Sequence, residues 1–222
     1  MKQETDVTII LDRSGSMESI ASDVVGGFNR FLADQRAQAG ACRLTLVQFD
    51  NEYEVVYAGR PIGEAPLLTA DTFQPRGSTA LLDAIGRTIE ATGARLRELP
   101  EGERPDRVLV VIITDGEENS STTHTREQVF NAIAVQKDVY KWAFLFMAAN
   151  QDAIAEGDKV GIGAAQSRNF DANGPSFQVA SIAMSRAVSA FRSTGDAAFS
   201  EQDPTASAAP AQAQALKKRQ VH

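Results

Sequence analysis

The segment DRSGS sets Asp12, Ser14 and Ser16 on alternate positions directly after the apolar run TIIL. Two later stretches carry groups of the same kind. RGSTAL holds Gly77, Ser78 and Thr79, and TDGEEN holds Asp115. Two carboxylates and up to three hydroxyls are all oxygen donors. No histidine or cysteine lies among them except His124, well into the third loop. Such a set suits a hard divalent cation rather than zinc or copper. Mg2+ takes about six oxygens at roughly 2.0–2.1 Å and tends to keep waters. Five side chains at most, some acting through water, leave a position open. Because hydroxyls are neutral, the ion stays electrophilic and favours an anionic sixth ligand, such as a carboxylate from a partner. Mg2+ is the first expectation, with Mn2+ and Ca2+ as alternatives. Each stretch alone also has an ordinary reading. A serine after a strand caps a helix, TDG is a turn, and Thr79 can cap the helix that follows it.

The elements around these stretches decide whether they can meet. DVTIILD (Asp6–Asp12) and RVLVVIIT (Arg107–Thr114) are short, β-branched and continuously apolar, as strands buried on both faces are. Each delivers an acid at its carboxyl end. In open α/β sheets ligands bind beyond those ends, where the strand order reverses. A helix is expected over 17–38, with Ile20, Val24, Phe28, Phe31 and Leu32 recurring at three and four. CRLTLVQFD and YEVVYAGRPI read as a hairpin across Asp50–Glu52. A second helix spans 79–99, with Leu82, Ile85, Ile89 and Leu96 inward. REQVFNAIAVQKDV is a helix, KWAFLFMAA a buried strand ending at Asn150, DAIAEGDKVG a short helix, QSRNFD an edge strand, and PSFQVASIAMSRAVSAFRS the last helix. This alternation predicts an α/β fold with an open, doubly wound, mostly parallel sheet, helices on both faces and one antiparallel strand. Residues 1–195 form the expected domain. Residues 196–222 are Ala/Gln/Pro-rich and are expected to be a flexible tail, with a short helix at AQAQALKKR.

The chain has 222 residues, enough for one such domain and short for two. Its net charge of −7 argues against a general grip on nucleic acid. The single cysteine, Cys42, lies in a strand and reads as a buried small side chain; one cysteine fits a reducing compartment. MKQETDVTII lacks a charged-then-apolar leader, and no apolar run approaches the ~20 residues a membrane helix needs. A cytoplasmic protein with no membrane association is expected.

The three loops together resemble the von Willebrand factor A (vWA) domain and its metal-ion-dependent adhesion site (MIDAS). The family pattern is Asp-x-Ser-x-Ser after the first strand, a Thr before a later helix and an Asp ending the central strand. DRSGS, RGSTAL and TDG match it at Asp12, Ser14, Ser16, Thr79 and Asp115, over roughly Thr5 to Ser193. The resemblance implies a six-stranded sheet with one antiparallel edge strand. It also implies a metal bound directly by the serines and the threonine, with the aspartates bonding directly or through water, and a protein partner's acid completing the shell. DRSGSM and TDGEENSS look most like the stand-alone bacterial or phage members, which act in complexes. The function so implied is a protein-interaction module and not an enzyme.

A metal-dependent phosphatase or phosphotransferase of the haloacid-dehalogenase kind is the alternative. It needs Asp-x-Asp after the first strand, and Ser14 takes the place of the second acid. A dinucleotide fold would need Gly-x-Gly-x-x-Gly there, and DRSGSMES has one glycine. Around the site, Asp83 can brace the loop or be a solvated helix residue. Glu117, Glu118 and Asn119 can orient the ligands or line a polar loop. Arg13 can meet an acidic partner or pair with an acid of its own surface. His124 is expected to be an exposed loop residue, and Lys217, Lys218 and Arg219 a solvated basic end.

Overall fold

Continuous apolar runs become the middle of the sheet, where both faces are covered. The computed structural model describes residues 4–149, 153–200 and 202–203. In chain order the elements are β1 (Glu4–Asp12), α1 (Ala21–Arg36), β2 (Ala41–Phe49), β3 (Tyr53–Pro61), α2 (Leu81–Glu98), β4 (Arg107–Thr114), α3 (Arg126–Asp138), β5 (Ala143–Ala149), α4 (Ala153–Lys159), β6 (Ser167–Phe170) and α5 (Gly174–Thr194). Among the described residues six strands form one sheet in the order β3-β2-β1-β4-β5-β6. Every pairing is parallel except the β2–β3 hairpin, which leaves the antiparallel strand at one edge and β6 at the other.

The two-residue period of the strands splits the core in two. Val7, Ile9 and Leu11 of β1, with Leu109, Val111 and Ile113 of β4, pack against Val24, Phe28 and Phe31 of α1 and Phe177, Met184 and Val188 of α5. Ile10, Val110 and Ile112 face the other way, onto Leu82, Ile85 and Ile89 of α2 and Val129 and Ile133 of α3. Asp6 lies on this second face and is fully buried. It accepts two hydrogen bonds from the Arg95 guanidinium of α2, at 2.8 and 2.9 Å. Cys42 is buried as expected, and burial pushes its thiol up to about 11.

Several boundaries differ from expectation by a few residues, and three of the differences show a local feature. The helix expected from Met17 begins as a 3-10 turn over Gly15–Ile20, and regular α-helix starts only at Ala21. The Met17 amide bonds the Ser14 carbonyl three residues back, which tightens the chain where the two serines must share one rim. Lys141 has φ 59°, left-handed backbone that a strand cannot hold, so β5 opens at Ala143. The polar loop EGERPD contains a 3-10 turn at Glu101–Glu103.

α3 starts with a reciprocal cap. Thr125 Oγ1 accepts from the Gln128 amide at 3.2 Å, and Gln128 Oε1 accepts from the Thr125 amide at 2.8 Å. Thr125→Ala is expected to cost about 1 kcal/mol, read as a lower midpoint in urea unfolding at unchanged slope. At the far end α5 stops at Gly195, whose φ of 87° is left-handed and whose amide bonds back to the Phe191 carbonyl. Beyond it Ala197 is buried, and the buried Asp203 accepts from Arg186 at 3.0 Å. Asn150 and residues 204–222, with the helix expected at AQAQALKKR and the basic residues Lys217, Lys218 and Arg219, lie outside the described residues.

Candidate metal centre

The chain leaves β1 for β2 and β3 on one side, then crosses back to β4 on the other. The strand order therefore reverses between β1 and β4, and their carboxyl ends form one crevice. Leu11 stands opposite Ile113 in the register, which sets Asp12 beside Thr114 and carries Asp115 just past the rim. Asp12 and Thr114 both point to the α2 side. Thr114 Oγ1 donates to Asp12 Oδ2 at 2.6 Å, and the Ser14 amide donates to Asp12 Oδ1 at 2.6 Å.

From there a chain of oxygens crosses the crevice. Ser14 Oγ and Ser16 Oγ lie 3.0 Å apart, and Ser16 Oγ donates to Asp115 Oδ1 at 2.6 Å. Thr79 arrives from the connection before α2. A Cβ placed at Gly116 would stand 2.7 Å from Thr79 Oγ1 and 3.6 Å from Ser16 Oγ. The absence of that atom keeps open a small space bordered by both hydroxyls. All five nominated residues thus lie around one rim.

None of the three hydroxyls serves as a helix cap. Ser14 occupies the cap position of the 3-10 turn without a side-chain bond to it, Ser16 bonds Asp115 instead, and the cap position of α2 is Ala80 rather than Thr79. At the start of α2 the Leu82 amide is taken by Glu118 of the third loop. Glu118 also accepts from the Ser120 and Ser121 amides and the Ser121 hydroxyl. Asn119 holds the Thr79 backbone from both sides, at 2.9 and 3.1 Å. Asp83 accepts from the Thr122, Thr123 and His124 amides. Burial works against the Asp83 charge, but those amides outweigh it and hold its carboxyl below the usual range. Glu118, Asn119 and Asp83 are therefore braces, and Glu117 is exposed.

Of the neighbours, His124 departs from expectation and Arg13 takes one of its two expected roles. His124 is not an exposed loop residue: its side chain is only 13% exposed, with its ring over Gly86 between Asp83 and Glu90. Arg13 pairs with acids of its own chain, the second of the two roles expected of it. It is buried, with Nε on Asp50 Oδ2 at 3.0 Å and Nη1 on Glu54. Nothing in the sequence marks Thr114, Gly116 or Asp50 as part of the site. Threonine before an acid, glycine after it and aspartate at a hairpin tip all have ordinary reasons to be where they are.

Electrostatics single out the two acids. Asp12 is fully buried and Asp115 is 8% exposed, and neither forms a salt bridge among the described residues. Burial pushes the Asp12 carboxyl up to about 6, against the pull of the Thr114 hydroxyl and the Ser14 amide, and the nearby Asp115 charge adds to the rise. Burial likewise raises Asp115, with Ser16 and Ser14 pulling the other way. Two desolvated carboxylates near each other call for a countercharge. Among the described residues no three His, Cys, Asp or Glu gather as a metal-binding group. A cation at this rim would rest on two acids and complete its shell with neutral oxygens. A groove between α2 and α3, lined by Ile89, Leu96, Val108 and Trp142, lies at the opposite end of β4 and includes none of the five.

No family model and no curated protein sequence matches the chain. Solved structures do. The pilus adhesin SpaC of Lactobacillus rhamnosus GG superposes with a TM-score of 0.62 at 14% identity, over 84% of this chain and 30% of that one. The ArnB paralog VWA2 of Sulfolobus acidocaldarius gives 0.55 at 14% identity, over 84% and 45%. The chain has the von Willebrand factor A fold. A third vWA neighbour, proximal thread matrix protein 1 from the mussel byssus with a zinc-occupied MIDAS motif, gives 0.57 at 16% identity, over 85% and 46%. The chain spans under half the length of each of these proteins. No helix among the described residues is long and apolar enough to cross a membrane.

Proposed function

We propose that this vWA domain is a metal-dependent protein-interaction module, and that Asp12, Ser14, Ser16, Thr79 and Asp115 hold its cation. One observation carries the reading: two buried acids without a cationic partner among the described residues are joined by hydroxyls that do no capping. Mg2+ is the ion that hard oxygen donors favour first, ahead of Mn2+ and Ca2+. The open coordination position takes a carboxylate from a protein partner, because two acids and three neutral oxygens leave the ion electrophilic. A vWA neighbour whose MIDAS motif holds zinc supports a divalent cation at this place in the fold. A cytoplasmic setting belongs to this reading and is supported by the lone buried cysteine. The role is binding and not turnover. Where a haloacid-dehalogenase-type phosphatase needs its second acid, Ser14 offers a hydroxyl bonded to Ser16.

Titration with Mg2+ in a calorimeter should show one site per chain, and immobilised protein should retain its partner in Mg2+ and release it in EDTA. Equal retention in chelator would overturn the reading. So would Mg2+-dependent hydrolysis of an aryl phosphate that Asp12→Asn abolishes.

A further inference from the structure

Thr79 is delivered by chain that cannot position it alone. Between β3 and α2 there is only a 3-10 turn at Ile62–Glu64, and residues 65–80 have no regular element. Its place beside Ser16 must come from bonds to neighbouring loops. Asn119 supplies one set. The other converges on a residue outside the ligand set.

Asp50 directly follows β2 at the hairpin tip and is fully buried. Its Oδ2 accepts from Arg13 Nε at 3.0 Å and from Arg76 Nε at 2.9 Å. Its Oδ1 accepts from the Glu52 amide at 2.6 Å. Arg13 stands between the ligands Asp12 and Ser14, and Arg76 stands three residues before Thr79. Backbone bonds close the same seam. The Arg76 amide donates to the Arg13 carbonyl at 2.8 Å, the Gly15 amide to the Gly77 carbonyl at 3.2 Å, and the Ala80 amide to the Asp50 carbonyl at 3.0 Å. Gly77 turns the chain here with φ 69°, and a Cβ on it would strike Asn51 Oδ1. Glu54 on Arg13 and Glu52 on Arg76 complete a ladder of alternating charge across the seam. Burial works against the Asp50 charge, and the two guanidiniums with the Glu52 amide outweigh it. Both arginines give their Nε to the same Asp50 oxygen, and each guanidinium is held by a second acid, Glu54 or Glu52, so the shared oxygen fixes their separation.

We propose that Asp50 is the positioning residue of the metal site: by clamping Arg13 to Arg76 it sets the distance between the Ser14 and Ser16 hydroxyls and Thr79. Its effect on the ion rests on the metal-site reading above; the clamp itself rests on these bonds alone.

Hydrogen exchange on metal-free protein tests the clamp, and calorimetric titration with Mn2+ tests its consequence. Asp50→Asn is compared with Asp6→Asn, which also disturbs a buried acid on an arginine but at the other end of β1. In Asp50→Asn the amides of 76–80 should exchange at least about tenfold faster while those in the middle of β1 and β4 keep their protection. The Mn2+ Kd should rise about 10–100-fold. In Asp6→Asn both readouts should stay within about twofold at 76–80 and for Mn2+, even where the melting temperature falls. Arg76→Gln cuts the same link from a half-exposed side chain and should move both readouts in the same direction as Asp50→Asn. Unchanged exchange at 76–80 in Asp50→Asn overturns the clamp, as does a uniform rise across the sheet. Faster exchange with an unchanged Kd overturns the positioning role. If the wild type binds no Mn2+, the metal-site reading fails, and the exchange measurement alone decides the clamp.

Discussion

Asp115→Ala is expected to abolish divalent-cation binding and leave a folded domain that is at least as stable, without metal, as the wild type. The carboxylate is nearly buried, its burial raises its pKa, and it has no cationic partner among the described residues. Its charge is thus a load on the metal-free fold, and removing it relieves that load. The hydrogen bond it loses comes from Ser16, an exposed residue whose hydroxyl can turn to water. Asp12 is a poorer choice, because its removal would take away the acceptor of the buried Ser14 amide. With metal the order reverses. Ligand at a hundred times its Kd stabilises a fold by about 2.7 kcal/mol, or about 5–10 °C in melting temperature for a domain of this size. Wild type should gain that shift in Mg2+, and Asp115→Ala should gain none, with affinity down more than about a hundredfold. Melting curves with and without Mg2+ measure both halves. A variant that melts lower without metal and still shifts in Mg2+ would make Asp115 a structural residue.

The fold was legible because its signals are collective. β1 and β4 each offer a run of branched apolar residues too long to cover from one side, and such runs have few places to go other than the centre of a parallel sheet. Once both are central, Asp12 and Asp115 reach the same rim whatever the helices do. The positions of Ser14, Ser16 and Thr79 follow from that topology, and the five nominated side chains do lie together. What stayed hidden is bonding that depends on tertiary register. Asp50 at the tip of FDNE looks like any turn residue, and only the fold shows that the tip lies over residue 13. His124 reads as loop because its neighbours are Ser and Thr; its burial comes from Gly86, a helix position that without a side chain admits a ring. The 3-10 start before α1 was hidden too, since its apolar spacing serves either helix type over so short a span.

The same register makes Gly116 the sharpest steric probe of the site. Gly116→Ala is expected to weaken metal binding at least tenfold while the melting temperature of the metal-free protein moves by no more than a few degrees. The added methyl would lie 2.7 Å from Thr79 Oγ1, closer than a carbon and an oxygen can stay, and 3.6 Å from Ser16 Oγ, which is ordinary contact. Thr79 must therefore give way and Ser16 need not. The Thr79 backbone is held by Asn119 and by the seam to Asp50, so the movement falls on its side-chain torsion. Rotation of a buried threonine by one rotamer costs little by itself, but it turns the hydroxyl away from the space that Ser16 and Asp115 border. The effect is thus specific to a function for that space. If the hydroxyl of Thr79 only fills volume, Gly116→Ala lowers stability and leaves Mg2+ affinity where it was. If it is a ligand, affinity falls and the metal-free fold scarcely changes. Thr79→Ser with Gly116→Ala separates the two further: serine lacks the methyl that restricts rotation, so the double variant should recover part of the lost affinity, measured by the same Mg2+ titration.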